Sequence, residues 1–289
     1  MKITKAVIPA AGFGTRFLPF TRSVPKEMIP LVDKPVIQYV IEEAAAAGIT
    51  DILIVISSGK GAIQEHFIPS GPLEERLAAT GKTAELAELQ QIDNLARIHY
   101  VYQKELKGLG HALMQAERFA ESDPFAVLLG DTVLYSGSKP VTAQLCEAFE
   151  RTQSPVVALE EVPAEKVSRY GIAGLAESDG NLHKLSDLVE KPSAETAPSR
   201  LAIASRYVFT PDIFAELAQT KPGKGGEIQL TDAMKSLLQK RTFYGLQFDG
   251  KRYDIGNKLE FLKSTVEFGL RRPEFKEAFS AYLRELIKD

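Results

Sequence analysis

Two glycines and two cations in the stretch 9–30, PAAGFGTRFLPFTRSVPKEMIP, constrain this chain more than any other feature. The stretch follows a short apolar run, Lys5-Ala6-Val7-Ile8, and precedes a helical pattern that begins at Pro35. A strand, a loop of small residues and then a helix is the arrangement with which α/β proteins grip phosphates. Gly12 and Gly14 carry no Cβ, so backbone N–H groups there can approach an anion closely. Arg16 and Lys26 place two cations on the same loop. The expectation is a loop that holds a nucleoside triphosphate; the competing reading is an ordinary strand-to-helix connection with surface cations. Spacing excludes two other phosphate loops. Phe17 stands where a dinucleotide-binding G-x-G-x-x-G needs its third glycine, and no G-x-x-x-x-G-K-[ST] occurs around Gly12 or Gly14.

Down the chain, strands and helices alternate. Val36, Ile37, Val40, Ile41 and Ala44 recur at helical spacing up to Gly48, and Ile52 to Ile56 is a continuous apolar run fit for a buried parallel strand. Several short helices are expected between Ala62 and Leu95, a strand from Ile98 to Gln103, a helix from Gly110 to Glu121 and a strand from Phe125 to Leu129. This alternation implies a parallel sheet with right-handed crossovers. After a helix at Val141–Thr152 the pattern changes to strands at 155–161, 170–177 and 182–190, the last two joined by the hairpin turn Ser178-Asp179-Gly180-Asn181. A strand at 201–210, a helix after Pro211, a helix at 230–240, a strand at 243–249 and two helices at 256–269 and 273–288 complete the reading.

Composition narrows the function classes. With 289 residues, 44% hydrophobic and 25% charged, the chain has ample core for one large or two smaller α/β domains. A net charge of −3 offers no footprint for nucleic acid. No apolar run reaches the roughly 18 residues that span a bilayer. The opening MKITKAVIPAAG reads as a first strand and not as a secretory signal. A single cysteine, Cys146, suits a reducing cytoplasm and reads as packing. The four histidines show no metal-ligand spacing.

Three further clusters fall at expected strand ends, where open α/β sheets bind ligands. In Leu128-Leu129-Gly130-Asp131 a carboxylate follows a buried strand directly, which suits Mg²⁺ held by one or two carboxylates and substrate phosphates. Asp254, in YDIGNK, has a similar context. In Leu188-Val189-Glu190-Lys191-Pro192, Glu190 can accept hydrogen bonds from sugar hydroxyls and Lys191 can meet a sugar phosphate. Gln103, ahead of Lys107-Gly108-Leu109-Gly110, can donate and accept in one plane and so match a pyrimidine imide edge. Each cluster also has a plain reading, respectively a helix cap, an exposed ion pair and a polar strand end.

Taken together these runs resemble bacterial UTP–glucose-1-phosphate uridylyltransferases, also called UDP-glucose pyrophosphorylases, within the sugar nucleotidyltransferases. The matching runs include AAGFGTRFLPFTRSVPKEMIPLVDKPVIQYVIEEA (10–44), GLGHA (108–112), PFAVLLGD (124–131), RYGIAG (169–174), LVEKP (188–192) and GGEIQLTDA (225–233). Thr132 and Ile255-Gly256-Asn257 depart from that family's pattern. The resemblance implies a Rossmann-like, mostly parallel central sheet flanked by helices, with a mixed β half that binds sugar and C-terminal helices. The corresponding division is a nucleotide-binding half (1–135), a sugar-phosphate half (136–255) and C-terminal helices (256–289).

It further implies that Ala11 and Gly12 contact uracil and ribose, that Arg16 and Lys26 hold the triphosphate, and that Gln103 and Gly108 read the base. Asp131 and Asp254 would bind Mg²⁺, Gly171 and Glu190 would receive the glucosyl hydroxyls, and Lys191 the sugar phosphate. The implied substrates are UTP and glucose 1-phosphate, and the implied assembly is a homo-oligomer, dimer or tetramer. A thymidylyltransferase using dTTP and a non-catalytic nucleotide-sugar sensor are the competing functions.

Overall fold

The computed structural model describes residues 1–287, and its elements follow the alternation read from the sequence. Strand β1 (Lys5–Pro9) runs through the opening loop and a small hairpin of β2 (Pro30–Leu31) and β3 (Lys34–Pro35) into helix α1 (Val36–Ala46). Next come β4 (Asp51–Ile56), α2 (Gly61–His66), α3 (Gly71–Ala79), α4 (Thr83–Asp93) and β5 (Arg97–Tyr102). They are followed by α5 (Gly108–Met114), α6 (Glu117–Ala120), β6 (Phe125–Leu128), β7 (Thr132–Tyr135) and α7 (Val141–Thr152). Strands β8 (Val156–Glu161), β9 (Gly171–Asp179), β10 (Leu182–Glu190) and β11 (Leu201–Phe209) then precede α8 (Ile213–Gln219) and α9 (Leu230–Leu238). The chain continues through β12 (Tyr244–Gln247), β13 (Lys251–Asp254), α10 (Lys258–Arg271) and α11 (Pro273–Leu286). The expected helix end at Lys288 lies outside the described residues.

Local chemistry accounts for these elements. Helix α1 buries Val36, Ile37, Val40, Ile41 and Ala44 on one face, and Gly48 at φ 87° ends it in the left-handed conformation that suits glycine. One expectation fails: the helix foreseen over 110–121 is two helices. Backbone N–H groups of Gln115 and Ala116 bond three residues back, at 3.2 and 2.9 Å, and tighten the turn between them. Cys146 is buried in α7, where burial and then the nearby Glu150 and Glu147 push its thiol up to about 12. It is packing, as expected, and no nucleophile.

The central sheet has the order β5-β4-β1-β6-β11-β8-β12-β10-β9. Its first four strands are parallel; β11 is antiparallel to β6 and β8, and β10 is antiparallel to β12 and β9. A parallel half and a mixed half therefore share one sheet. From β1 the chain moves to β4 and β5 on one side, and β6 then pairs on the other side of β1. That reversal opens a crevice beyond the carboxyl ends of β1 and β6. The opening loop leaves β1 there and Asp131 leaves β6 there, so the topology brings them together.

Apolar clusters cover both faces of the sheet, one including Ile8, Ile41, Ile54 and Leu128, the other Val7, Val127, Phe209 and Leu217. A smaller one joins Ile29, Leu31, Val133, Tyr253 and Phe268, and so ties the opening loop to α10 and to an antiparallel ribbon of β7 and β13. The ribbon was not expected from the sequence. Its register sets Thr132 opposite Asp254. Beneath it, the buried Arg206 donates from Nη2 to Glu43 Oε2 at 2.6 Å and to the Thr132 carbonyl at 3.0 Å. Among the described residues no helix is long and apolar enough to cross a membrane.

Candidate active site

Three adjoining clefts run along the carboxyl ends of the strands. The first, of about 390 Å³, is lined by Ala11, Gly12, Lys26, Gln103, Gly108 and Asp131. The second, about 280 Å³, shares Asp131 with it and adds Gly171, Glu190, Lys191, Thr231 and Asp254. The third, about 570 Å³, shares Arg169, Lys191 and Asp254 with the second and reaches Arg16 and Lys166. Every residue expected to bind nucleotide, sugar phosphate or metal lines this trough except Gly14, which packs behind Lys26. There a Cβ would sit 2.9 Å from the Lys26 Cβ, and φ is 69°. Gly14 therefore shapes the loop and Gly12 faces the cleft. Gly108, at φ 90°, likewise leaves no room: a Cβ would lie 2.7 Å from that of Glu227.

At the junction of the clefts, Lys26 Nζ lies 2.6 Å from Asp131 Oδ2. Burial disfavours the charged ammonium, but Asp131 and Glu27 outweigh it and hold Lys26 above the ordinary lysine value. For Asp131, burial works to raise the carboxyl, and the charge and hydrogen bond of Lys26 more than offset this, leaving it below its usual range. Asp254 goes the other way. Burial, and then repulsion from Asp131, raise its carboxyl. A Cβ placed on Gly256 would be 3.1 Å from Asp254 Oδ1 and 3.5 Å from both Asp131 Oδ2 and Arg16 Nη1, so two carboxylates and a guanidinium surround one point. Arg16 is exposed, and its Nη1 donates to the Gly256 carbonyl at 3.4 Å. Asn257 turns the chain immediately beyond, accepting from the N–H groups of Leu259 and Glu260 at 2.9 and 3.2 Å as the cap of α10.

This donor set fits a divalent cation. Asp254 bears negative charge that Asp131 aggravates, and hard divalent ions of the Mg²⁺ type take one or two carboxylates and complete their shell with phosphates and water. Among the described residues no group of three or more His, Cys, Asp or Glu could hold a metal by itself. The protein would therefore supply part of a shell and a phosphate-bearing ligand the rest.

On the sugar-phosphate side, Glu190 Oε2 accepts from Thr231 Oγ1 at 2.7 Å, and Lys191 Nζ lies 2.8 Å from Glu190 Oε1. Lys191 has φ 48°, which turns it out of line with β10. Gly171 faces Glu190 so closely that a Cβ would be 3.3 Å from its Oε2. On the base side, Gln103 is buried, and its Nε2 lies 2.8 Å from His111 Nδ1.

Several participants escaped the sequence reading. Glu27 is fully buried and pairs with buried Lys60 at 2.8 Å; burial raises its carboxyl, and its Oε1 has no hydrogen-bond partner. Lys60 sits in SSGKG, directly after the apolar run ILIVI, so the strand-end signal used elsewhere would have found it. Thr231 and His111 lie in runs already noted, GGEIQLTDA and GLGHA, but only the folded chain sets them against Glu190 and Gln103.

A family model described as nucleotidyl transferase matches residues 5–268, and the chain belongs to that family. Nucleotidyl transfer of this kind calls for a divalent metal. A curated relative, UTP--glucose-1-phosphate uridylyltransferase YngB of Bacillus subtilis, is 49% identical over 99% of this chain and 96% of its own length. Among solved structures, a UDP-glucose pyrophosphorylase complexed with UDP-glucose is 40% identical with TM-score 0.86, covering 93% of this chain and 100% of that one. A UTP-bound UGPase from Acinetobacter baumannii is 37% identical with TM-score 0.91, covering 98% of this chain and 99% of that one. The resemblance and fold class read from the sequence are borne out.

Proposed function

We propose that this chain transfers the uridylyl group of UTP to glucose 1-phosphate, giving UDP-glucose and pyrophosphate, by in-line attack at the α-phosphorus. The observation that carries the proposal is the unbroken trough in which the Lys26–Asp131 pair lies between a base-sized cleft and the Glu190–Lys191 corner. Relatives of near-equal length named as uridylyltransferases favour UTP over dTTP, and catalysis over sensing.

The chemistry needs no general base. A sugar phosphate is largely dianionic near neutral pH, because the second pKa of a phosphate ester is about 6. Repulsion between two anions is the obstacle. Lys26 and Arg16 neutralise the triphosphate, Lys191 holds the sugar phosphate, and Glu190, braced by Thr231 and packed close to Gly171, accepts hydrogen bonds from the glucosyl hydroxyls. Gln103 and Gly108 read the uracil, while Ala11 and Gly12 pass under base and ribose. These contacts place the attacking oxygen opposite the leaving pyrophosphate. Asp131 and Asp254 would hold Mg²⁺, which when bound would supply charge neutralisation toward the substrate phosphates. The nucleotide part then spans 1–135 and the sugar-phosphate part 136–255. Exposed Leu259, Leu262, Phe275 and Tyr282 on α10 and α11 support reading the C-terminal part as the contact of a homo-oligomer, dimer or tetramer. The single, unpaired cysteine, Cys146, supports a reducing compartment, the cytoplasm.

The reading is tested by pyrophosphate release from a panel of UTP, dTTP and CTP against glucose 1-phosphate and galactose 1-phosphate, with and without Mg²⁺. Turnover should be greatest with UTP, glucose 1-phosphate and Mg²⁺; a preference for dTTP, or no release at all, would overturn it. Lys191→Ala should raise the KM for glucose 1-phosphate about tenfold or more, and that for UTP far less, because it removes a point charge from one substrate only. Equal rises in both would displace Lys191 from the sugar phosphate.

A further inference from the structure

Gln103 is an ambiguous reader. Turned one way, its amide offers an acceptor and a donor in the order that matches the N3–H and a carbonyl of uracil. Turned by half a rotation, it matches the N3 and amino group of cytosine. Pocket size cannot separate these bases, which are nearly the same shape. Something must therefore hold the amide in one of its two settings.

The structure assigns that task to His111. Gln103 is 4% exposed, and its backbone N–H is fixed to the Ile56 carbonyl at 2.8 Å at the end of β5. Its Nε2 lies 2.8 Å from His111 Nδ1 and 3.5 Å from the Gly108 carbonyl. A carbonyl oxygen can only accept, so it turns the amide nitrogen toward itself. With the His111 proton assigned to Nε2, the tautomer that agrees with an amide nitrogen turned toward the Gly108 carbonyl, Nδ1 is an acceptor too, and at 2.8 Å it is the closer of the two. Both neighbours therefore call for the amide nitrogen, and Oε1 has no partner among the described residues. Oε1 is then the acceptor left for a ring N–H, and the second Nε2 hydrogen is left for an adjacent carbonyl. That is the edge of uracil and the reverse of the edge of cytosine.

His111 touches neither base nor phosphate in this arrangement. It is a positioning residue that sets base specificity through Gln103. Its place is secured by the first turn of α5, where the Gln115 side chain donates to the His111 carbonyl at 3.1 Å.

The inference rests on the proposed use of UTP, and the experiment separates the two. The ratio of kcat/KM for UTP to that for CTP is measured with glucose 1-phosphate for the unaltered protein, His111→Ala and His111→Asp. Alanine suits the helix and frees the amide, whereas aspartate restores an acceptor that cannot donate. The expected result is a ratio lowered about tenfold or more in His111→Ala, through both a higher KM for UTP and a gain with CTP, and largely restored in His111→Asp. An unchanged ratio in His111→Ala, or equal loss of UTP and CTP turnover in both variants, would overturn the role of His111. Failure of the unaltered protein to use UTP would instead overturn the uridylyl-transfer reading itself.

Discussion

Asp131→Asn should leave the protein folded and lower kcat by about 10²- to 10³-fold, the effect of deleting one preorganised charge-stabilising group, or roughly 3–4 kcal/mol at the barrier. The carboxylate has two tasks at the junction of the clefts. It anchors Lys26 at 2.6 Å, and with Asp254 it forms the acidic side of the point that Gly256 leaves open. Asparagine keeps the shape and an oxygen acceptor but not the charge. Lys26, held above its ordinary value chiefly because Asp131 and Glu27 outweigh the cost of burial, would then titrate lower. The carboxyl of Asp254, raised by burial and by its neighbour, would fall toward its ordinary value once that neighbour is neutral. The variant should therefore need much more Mg²⁺ for half-maximal rate, while far-ultraviolet circular dichroism stays unchanged. Full turnover at the original Mg²⁺ concentration would show that the charge of Asp131 has no part in the chemistry.

The second large effect concerns stability. Glu43→Ala should cost about 3–5 kcal/mol, seen as a lower urea midpoint, because Arg206 would remain buried with its charge unpaired. Among the described residues, the carbonyls of Ser205 and Thr132, each at 3.0 Å, would be its remaining hydrogen-bond partners. The Thr142 hydroxyl and N–H, which donate to Glu43 Oε1 at 2.6 and 3.0 Å, would lose their acceptor as well. Replacing both charges at once, Glu43→Leu with Arg206→Met, should recover most of the stability, since an apolar pair of similar volume carries no desolvation penalty. It should not recover the rate. The Thr132 carbonyl loses its donor, the start of β7 loosens, and Asp131 one residue earlier loosens with it; kcat should stay about tenfold or more below normal. A single variant as stable as the unaltered protein, or a double variant with full kcat, would contradict this account.

Much of the molecule was written in local patterns. The 3.6-residue recurrence in α1, the bare apolar runs of β4 and β6 and the Asp-Gly-Asn turn at 179–181 specify their elements by short-range packing and turn chemistry. The opening loop was legible for a similar reason, because small residues and cations between strand and helix have few other uses. The helix expected over 110–121 is interrupted at Gln115–Ala116, where the backbone bonds three residues back, although buried Ala112, Ala116 and Ala120 keep helical spacing; the periodicity therefore carried no sign of the break.

The sequence by itself determined the family, the strand-to-loop-to-helix start, the parallel half and the identity of the charged side chains. What stands beside what was decided only in three dimensions. The switch in strand order beside β1 puts Lys26 against Asp131, the β7–β13 register puts Asp254 beside them, and the packing of α5 and α9 sets His111 on Gln103 and Thr231 on Glu190. Each of these pairings joins residues whose separation along the chain leaves no periodic trace. Their meeting depends on burying both faces of one nine-stranded sheet, a condition that the whole chain satisfies together and no segment satisfies alone.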